Sequence, residues 1–141
     1  MRDMANHIEV RRAIAPVAPT TDNTPYVSSI IDVAGFDNLV FAILLGALAD
    51  ADATFAVLIE HGDAANLSDA AAAPDVALTG TEASAGFTFA DDNKVRKIGY
   101  VGSKRYVRLT ITPTNNTGAA SIAAVAILSG SRYSPGSAQS A

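Results

Sequence analysis

Apolar and polar positions alternate with a period of two through much of this chain, in short runs. In residues 106–112, Val107, Leu109 and Ile111 alternate with Tyr106, Arg108, Thr110 and Thr112. That is the signature of a half-buried strand. In residues 54–61, Phe55, Val57 and Ile59 share one face, and Ala56, Leu58 and Glu60 share the other. Residues 39–45, LVFAILL, are apolar without a break, which fits a strand covered on both faces. A short buried helix would carry the same run, but its length and flanking turn residues favour the strand. Further strands are predicted at 26–33 and, from weaker alternation, at 8–14. The last predicted strand is 119–128, whose small side chains suit close packing against another sheet or another subunit. Residues 94–113 read as a hairpin of two strands joined by a tight turn at Gly102-Ser103.

The stretches between these runs are rich in turn residues. Gly35, Asp37 and Asn38 mark one turn, Asp91-Asp92-Asn93 another, and Asn115-Asn116-Thr117-Gly118 a third. Residues 62–74 predict a surface loop, with Asn66 or Ser68 capping one helical turn through the alanine run before Pro74. Short strands are expected at 76–78 and 87–89, with loop at 79–86. The frequent turns and near absence of helical periodicity predict an all-β chain, an antiparallel β-sandwich or jelly roll. Residues 1–25 read as an extended N-terminal arm, because three prolines within 15–25 disfavour helix and central strand alike. Such an arm either frays or reaches a neighbouring subunit. The sandwich domain is placed at 26–130, and 131–141 is expected to be a mobile C-terminal tail.

Composition narrows the function classes. The 141 residues suit one domain with a real core. With 14 acidic and 10 basic residues the net charge is −4, which does not suit a nucleic-acid binder. There is no cysteine, so disulfides, thiolate metal sites and cysteine nucleophiles are excluded. The N-terminus has no apolar stretch suited to a signal peptide, and the run 39–49 is too short to span a bilayer. The chain is expected to be soluble, made in the cytoplasm and without a membrane partner.

Candidate chemistry is sparse. Glu60, His61 and Asp63 could be assembled into a metal site, but adjacent strand residues point to opposite faces. A polar strand end running into a turn accounts for them better. Asp50, Asp52, Asp91 and Asp92 lie in turns, where aspartate bonds nearby amides, and no calcium-loop spacing joins them. Neither histidine sits near a nucleophile elbow, and the Walker spacing is absent around Gly99–Lys104. The chain has no tryptophan, which disfavours a stacking platform for sugars or bases. No catalytic residue, metal ligand or cofactor is expected. The basic residues are a different matter. Lys94, Arg96, Lys97, Lys104, Arg105 and Arg108 fall within the expected hairpin, and Arg11 and Arg12 within the arm. They form either a solvated, edge-protecting face or a surface that docks on an acidic partner.

Three stretches, F-D-N-L-V-F, T-F-A-V-L-I-E-H-G-D and D-D-N-K-V-R-K-I-G-Y-V-G-S-K-R-Y-V-R-L-T-I-T, resemble small structural proteins of tailed bacteriophages. Some of these are head decoration or cement proteins. The resemblance covers roughly residues 26–128 and is most specific from Lys97 to Arg108. The K-R-Y-V-R-L segment is also similar to strands of galactose-binding-like jelly rolls. The resemblance implies a non-enzymatic virion protein on the capsid surface, binding the major capsid protein and itself, as a homo-oligomer such as a trimer. It makes the arm and the basic residues the candidate contacts. The other readings are a head–tail connector, a tail or fibre-base component, or a carbohydrate-binding β-sandwich.

Overall fold

The computed structural model describes residues 3–132. The expected tail therefore lies almost entirely outside the described residues. The strands, in chain order, are β1 (Ile8–Ile14), β2 (Tyr26–Val27), β3 (Ile31–Asp32), β4 (Asn38–Leu48), β5 (Thr54–Gly62), β6 (Ala71–Ala72), β7 (Leu78–Thr79), β8 (Phe87–Thr88), β9 (Val95–Tyr100), β10 (Tyr106–Thr114) and β11 (Ala120–Ser129).

These strands form two antiparallel sheets. The first runs β1-β11-β4-β9-β7, and the second β2-β10-β5-β6, with β3 also on β10 and β8 also on β5. The pairs β1·β11, β2·β10, β4·β9 and β5·β6 nest inside one another like the rungs of one long hairpin rolled into two layers. That nesting is the jelly-roll form of a β-sandwich. The core lies between the layers. Leu39, Phe41 and Ile43 of β4, Ile98 of β9 and Leu128 of β11 meet Ile59 of β5 and Val107, Leu109 and Ile111 of β10, all essentially without solvent exposure. Burying each such side chain contributes about 1.5–3 kcal/mol. Phe55 and Phe87 stack at 4.9 Å and close one end.

The period-two expectation for residues 106–112 holds, but the expected hairpin does not form. β9 belongs to the first sheet and β10 to the second. Residues 101–105 cross between layers instead of turning back. Tyr100 is the reason. Its ring is buried, and its hydroxyl accepts from the Lys104 amide at 3.1 Å and meets His61 Nδ1 at 2.9 Å. The loop is thereby wound around that hydroxyl. Gly102 passes directly over the ring, where a Cβ would lie 2.5 Å from the Tyr100 oxygen.

Other local expectations change for similar reasons. Residues 26–33 break into β2 and β3 because Ser28 bonds its neighbours through its side chain. Leu109 N donates to Ser28 Oγ at 2.9 Å, and Ser29 N donates across to Ala13 O at 2.9 Å. The alanine run is no helical turn; Ala71–Ala72 pairs with Glu60 and His61. A turn of α-helix lies instead in the expected loop, at α1 (Glu82–Ala85), where the Thr81 side chain accepts from the Ser84 amide. Turns of 3-10 helix form at Asp75–Ala77, within the expected strand 76–78, and at Phe89–Asp91. The Glu82 carboxylate then accepts from Ile59 N at 2.7 Å, covering the β5 edge between β6 and β8.

Residues 1–25, expected to stand outside the sandwich as an arm, supply its first edge strand. β1 pairs along β11 from Ile8↔Ser129 to Ile14↔Ala124, and Ala13 and Ile14 are buried. The proline-rich stretch after it lies back on its own domain. Thr20 bridges Ala120, Tyr26 Oη donates to Ala120 O at 3.0 Å, and buried Asn116 donates to Asp22 O at 3.0 Å.

Candidate functional site

The crossing at Tyr100 divides the basic residues expected on one hairpin. Lys94, Arg96 and Lys97 go with the first sheet, and Lys104, Arg105 and Arg108 with the second. Most are already paired. Asp91 receives Arg96 at 2.5 Å and Lys94 at 3.3 Å. Lys104 pairs with Asp63. Arg105 holds both oxygens of Asp32 at 2.9 Å. Arg108 lies directly across from Glu60 and grips it through Nε at 3.0 Å. Arg11 donates to Glu9 at 2.7 Å and to Asp32 O at 2.7 Å, with Phe36 beneath its guanidinium.

The pKa directions follow from these bonds. The Arg105 fork holds the Asp32 carboxyl below its ordinary value, and Asp32 in turn raises Arg105. Asp63 raises Lys104. The Thr88 amide is the first cause holding Asp91 low, helped by Lys94 and Arg96. Charges matched at contact distance cancel beyond a few ångströms in water. Among the described residues no continuous basic patch results.

Arg12 and Lys97 differ. Both are exposed, and neither makes an ion pair among the described residues. They stand on the outer face of the first sheet, in one row that crosses it: Arg12↔Val125, Val125↔Ala42, Ala42↔Lys97. The next row is Val10, Ile127, Val40 and Gly99, and on the other side lies Ala123, Leu44 and Val95. These side chains point away from the core because their strand neighbours point into it. Val10 is 38% exposed, Leu44 47% and Val95 62%. The three rows carry no carboxylate.

The expectation that residues 39–45 are covered on both faces is thus met on one face only. Leu39, Phe41, Ile43 and Leu45 are buried, while Val40, Ala42 and Leu44 look outward. Likewise Ala120, Ala124 and Ala126 of β11 face the core, leaving Ala123, Val125 and Ile127 outside. Hollows border this face at both ends. One of about 280 Å³ lies between Pro16, Val17 and Leu44. The other, of about 300 Å³, lies between Val40, Lys97 and Val101. The outer face of the second sheet has a different character, with the Arg108–Glu60 pair and then Thr110 and Thr112 across from Leu58 and Ala56.

The remaining polar groups serve the fold. Glu60 and Asp63 hold separate cations, and His61 meets Tyr100. Asp50 accepts from the Thr117 amide and hydroxyl, and Asp92 from Leu48 N. A hollow of about 450 Å³ beside Phe55 and Phe87 contains Glu82 and Asp91, both engaged as described above. Among the described residues no three metal-ligating side chains converge.

No protein-family model and no curated protein matches the sequence. Among solved structures, the chain is similar to a protein of infectious bursal disease virus Gx strain, at 10% identity and a TM-score of 0.45, over 91% of this chain and 34% of that one. It is similar to the SPBc2 prophage-derived protein YomS at 12% identity and a TM-score of 0.37, over 86% and 93% of the two chains. It is also similar to the CBM22-1–GH10 modules of Clostridium thermocellum xylanase 10B, complexed with xylohexaose, at 11% identity and a TM-score of 0.40, over 91% and 27%. The chain thus spans about a third of the length of the bursal disease virus protein. Superpositions at this level carry no argument about role.

Proposed function

We propose that this chain is a non-enzymatic virion structural protein that decorates the outside of a tailed-phage capsid by binding the major capsid protein. The observation that carries the reading is the outer face of the first sheet, an apolar surface that no other segment covers among the described residues. Contiguous exposed apolar surface of this kind marks a protein interaction site. The sequence resemblance to phage structural proteins supplies the partner. The jelly roll is compatible with that role, as it is with others.

The mechanism is attachment without chemistry. A sandwich joined by Arg11 and by the crossing at Tyr100 offers one face, and many copies on a lattice tie neighbouring capsid subunits together. Weak contacts repeated over a shell gain avidity. Glu82 and Asp91, the carboxylates that line the hollow beside Phe55, are engaged in structural bonds, and the reading asks for no cofactor, metal or nucleic acid. Heads assembled without this chain test it. They should rupture at lower temperature than complete heads and recover when purified chain is added back. Equal rupture temperatures with no uptake of added chain would contradict the reading.

A further inference from the structure

Resting on that reading, we infer that the outer face of the first sheet is the seat for the capsid protein, with Arg12 and Lys97 as charged clamps. The patch of the capsid protein that fits it is an apolar strip flanked by two carboxylates. Arg12 and Lys97 end the same row, three strand spacings apart, or about 14 Å at the 4.7–4.9 Å strand repeat. Between them lie only Val125 and Ala42. A partner must therefore be apolar at its centre and acidic at two points about that far apart.

The charge pattern decides among occupants. Two copies of this face placed against each other would bring two Arg12 and two Lys97 side chains together without one carboxylate from the three rows. Like-charge juxtaposition of that kind disfavours a second copy. A nucleic acid would need many phosphate contacts, and two cations around an apolar centre do not supply them. An acidic-rimmed apolar protein surface satisfies both the cations and the apolar centre, leaving no unmatched charge at the contact.

The small side chains at the middle of the row let the partner approach the sheet closely. Leu44 and Val95, more exposed, stand beside them as the side chains that would enter a pocket on the partner. Charged ends around an apolar centre are the usual anatomy of a specific interface, with the centre supplying affinity and the rim supplying register.

The test measures binding of purified full-length chain to heads assembled without it. The variants are Leu44→Glu, the double variant Arg12→Glu with Lys97→Glu, and Thr112→Glu on the opposite sheet. All are at outward positions, and circular dichroism checks that each folds. Leu44→Glu should lower affinity by at least about tenfold. The double reversal should lower it on the order of tenfold and flatten its salt dependence. Thr112→Glu should bind as the original does. A carbodiimide should join the Lys97 amine directly to an Asp or Glu of the capsid protein. If the original chain binds and all variants bind equally, the face is not the seat, although the decoration reading stands. If the original chain does not bind heads, the decoration reading itself fails and takes this seat with it. Sedimentation showing an oligomer that Leu44→Glu dissociates would assign the face to a second copy and overturn the inference.

Discussion

Arg11 Nη1 donates to the main-chain carbonyl of Asp32 at 2.7 Å. The two residues lie on edge strands of opposite sheets, so this bond closes the open side of the sandwich. The same guanidinium holds Glu9 through Nε and rests on Phe36. The Asp32 carboxylate meanwhile takes the fork of Arg105. An arginine suited by its type to partner binding is thus spent on joining layers. Arg11→Ala should cost about 1–2 kcal/mol, the range for a partly exposed charge-assisted hydrogen bond. Urea unfolding measures it, and an unchanged midpoint would mean that Ser29–Ala13 alone closes this side.

Removal of residues 1–20 takes away β1, two buried core residues and the bridge from Thr20 to Ala120. It also exposes the β11 edge, an open template for aggregation. The truncated chain should lose its cooperative thermal transition or aggregate on expression. Deleting only residues 1–6 should leave the transition in place. A soluble, cooperatively folding product of the longer deletion would show that β1 is dispensable.

Gly102→Ala places a methyl group against the Tyr100 ring and hydroxyl. Overpacking of this kind costs about 1–3 kcal/mol. Tyr100→Phe keeps the ring but removes the bonds to Lys104 and His61, for about 1 kcal/mol. The two effects should not add, since both loosen the same crossing. A double variant as costly as the sum would break that link.

Acid should weaken the fold. Asp32 and Asp91 are held below their ordinary value by Arg105 and by the Thr88 amide respectively. Asp50 and Asp69 are held down by the Thr117 and Asp63 amides. A depressed carboxyl binds fewer protons folded than unfolded, so its stabilisation is full above the ordinary value of about 4. It is lost as the pH falls through the lower folded value. The thermal midpoint should be level from pH 5 to 7 and drop steadily below pH 4. Asp32→Asn should make that drop shallower.

Much of the fold was legible because its core strands alternate so cleanly. Val107, Leu109 and Ile111 could point only one way, and Phe55, Val57 and Ile59 matched them. Which strand pairs with which was not legible at Gly102-Ser103. A glycine-serine step permits a turn but does not say whether the chain returns to the same sheet; a buried tyrosine hydroxyl settles that, and one of its two partners, His61, comes from a strand far back along the chain. Alanines 71 and 72 have little preference of their own and follow the β5 edge. The helix at Glu82–Ala85 did carry a signal, in Thr81 ahead of an acidic first turn. The candidate face was half legible. Residues 39–45 are too apolar for a strand with one wet side, yet only the strand register shows that Arg12 and Lys97 bracket the uncovered half.

The measurement that bears most directly on the decoration reading is the copy number of this chain per purified phage particle, by quantitative mass spectrometry against the major capsid protein. The account predicts hundreds of copies in simple ratio to the capsid protein. A dozen copies or fewer would move the chain to the neck or tail, and none would contradict the virion role altogether.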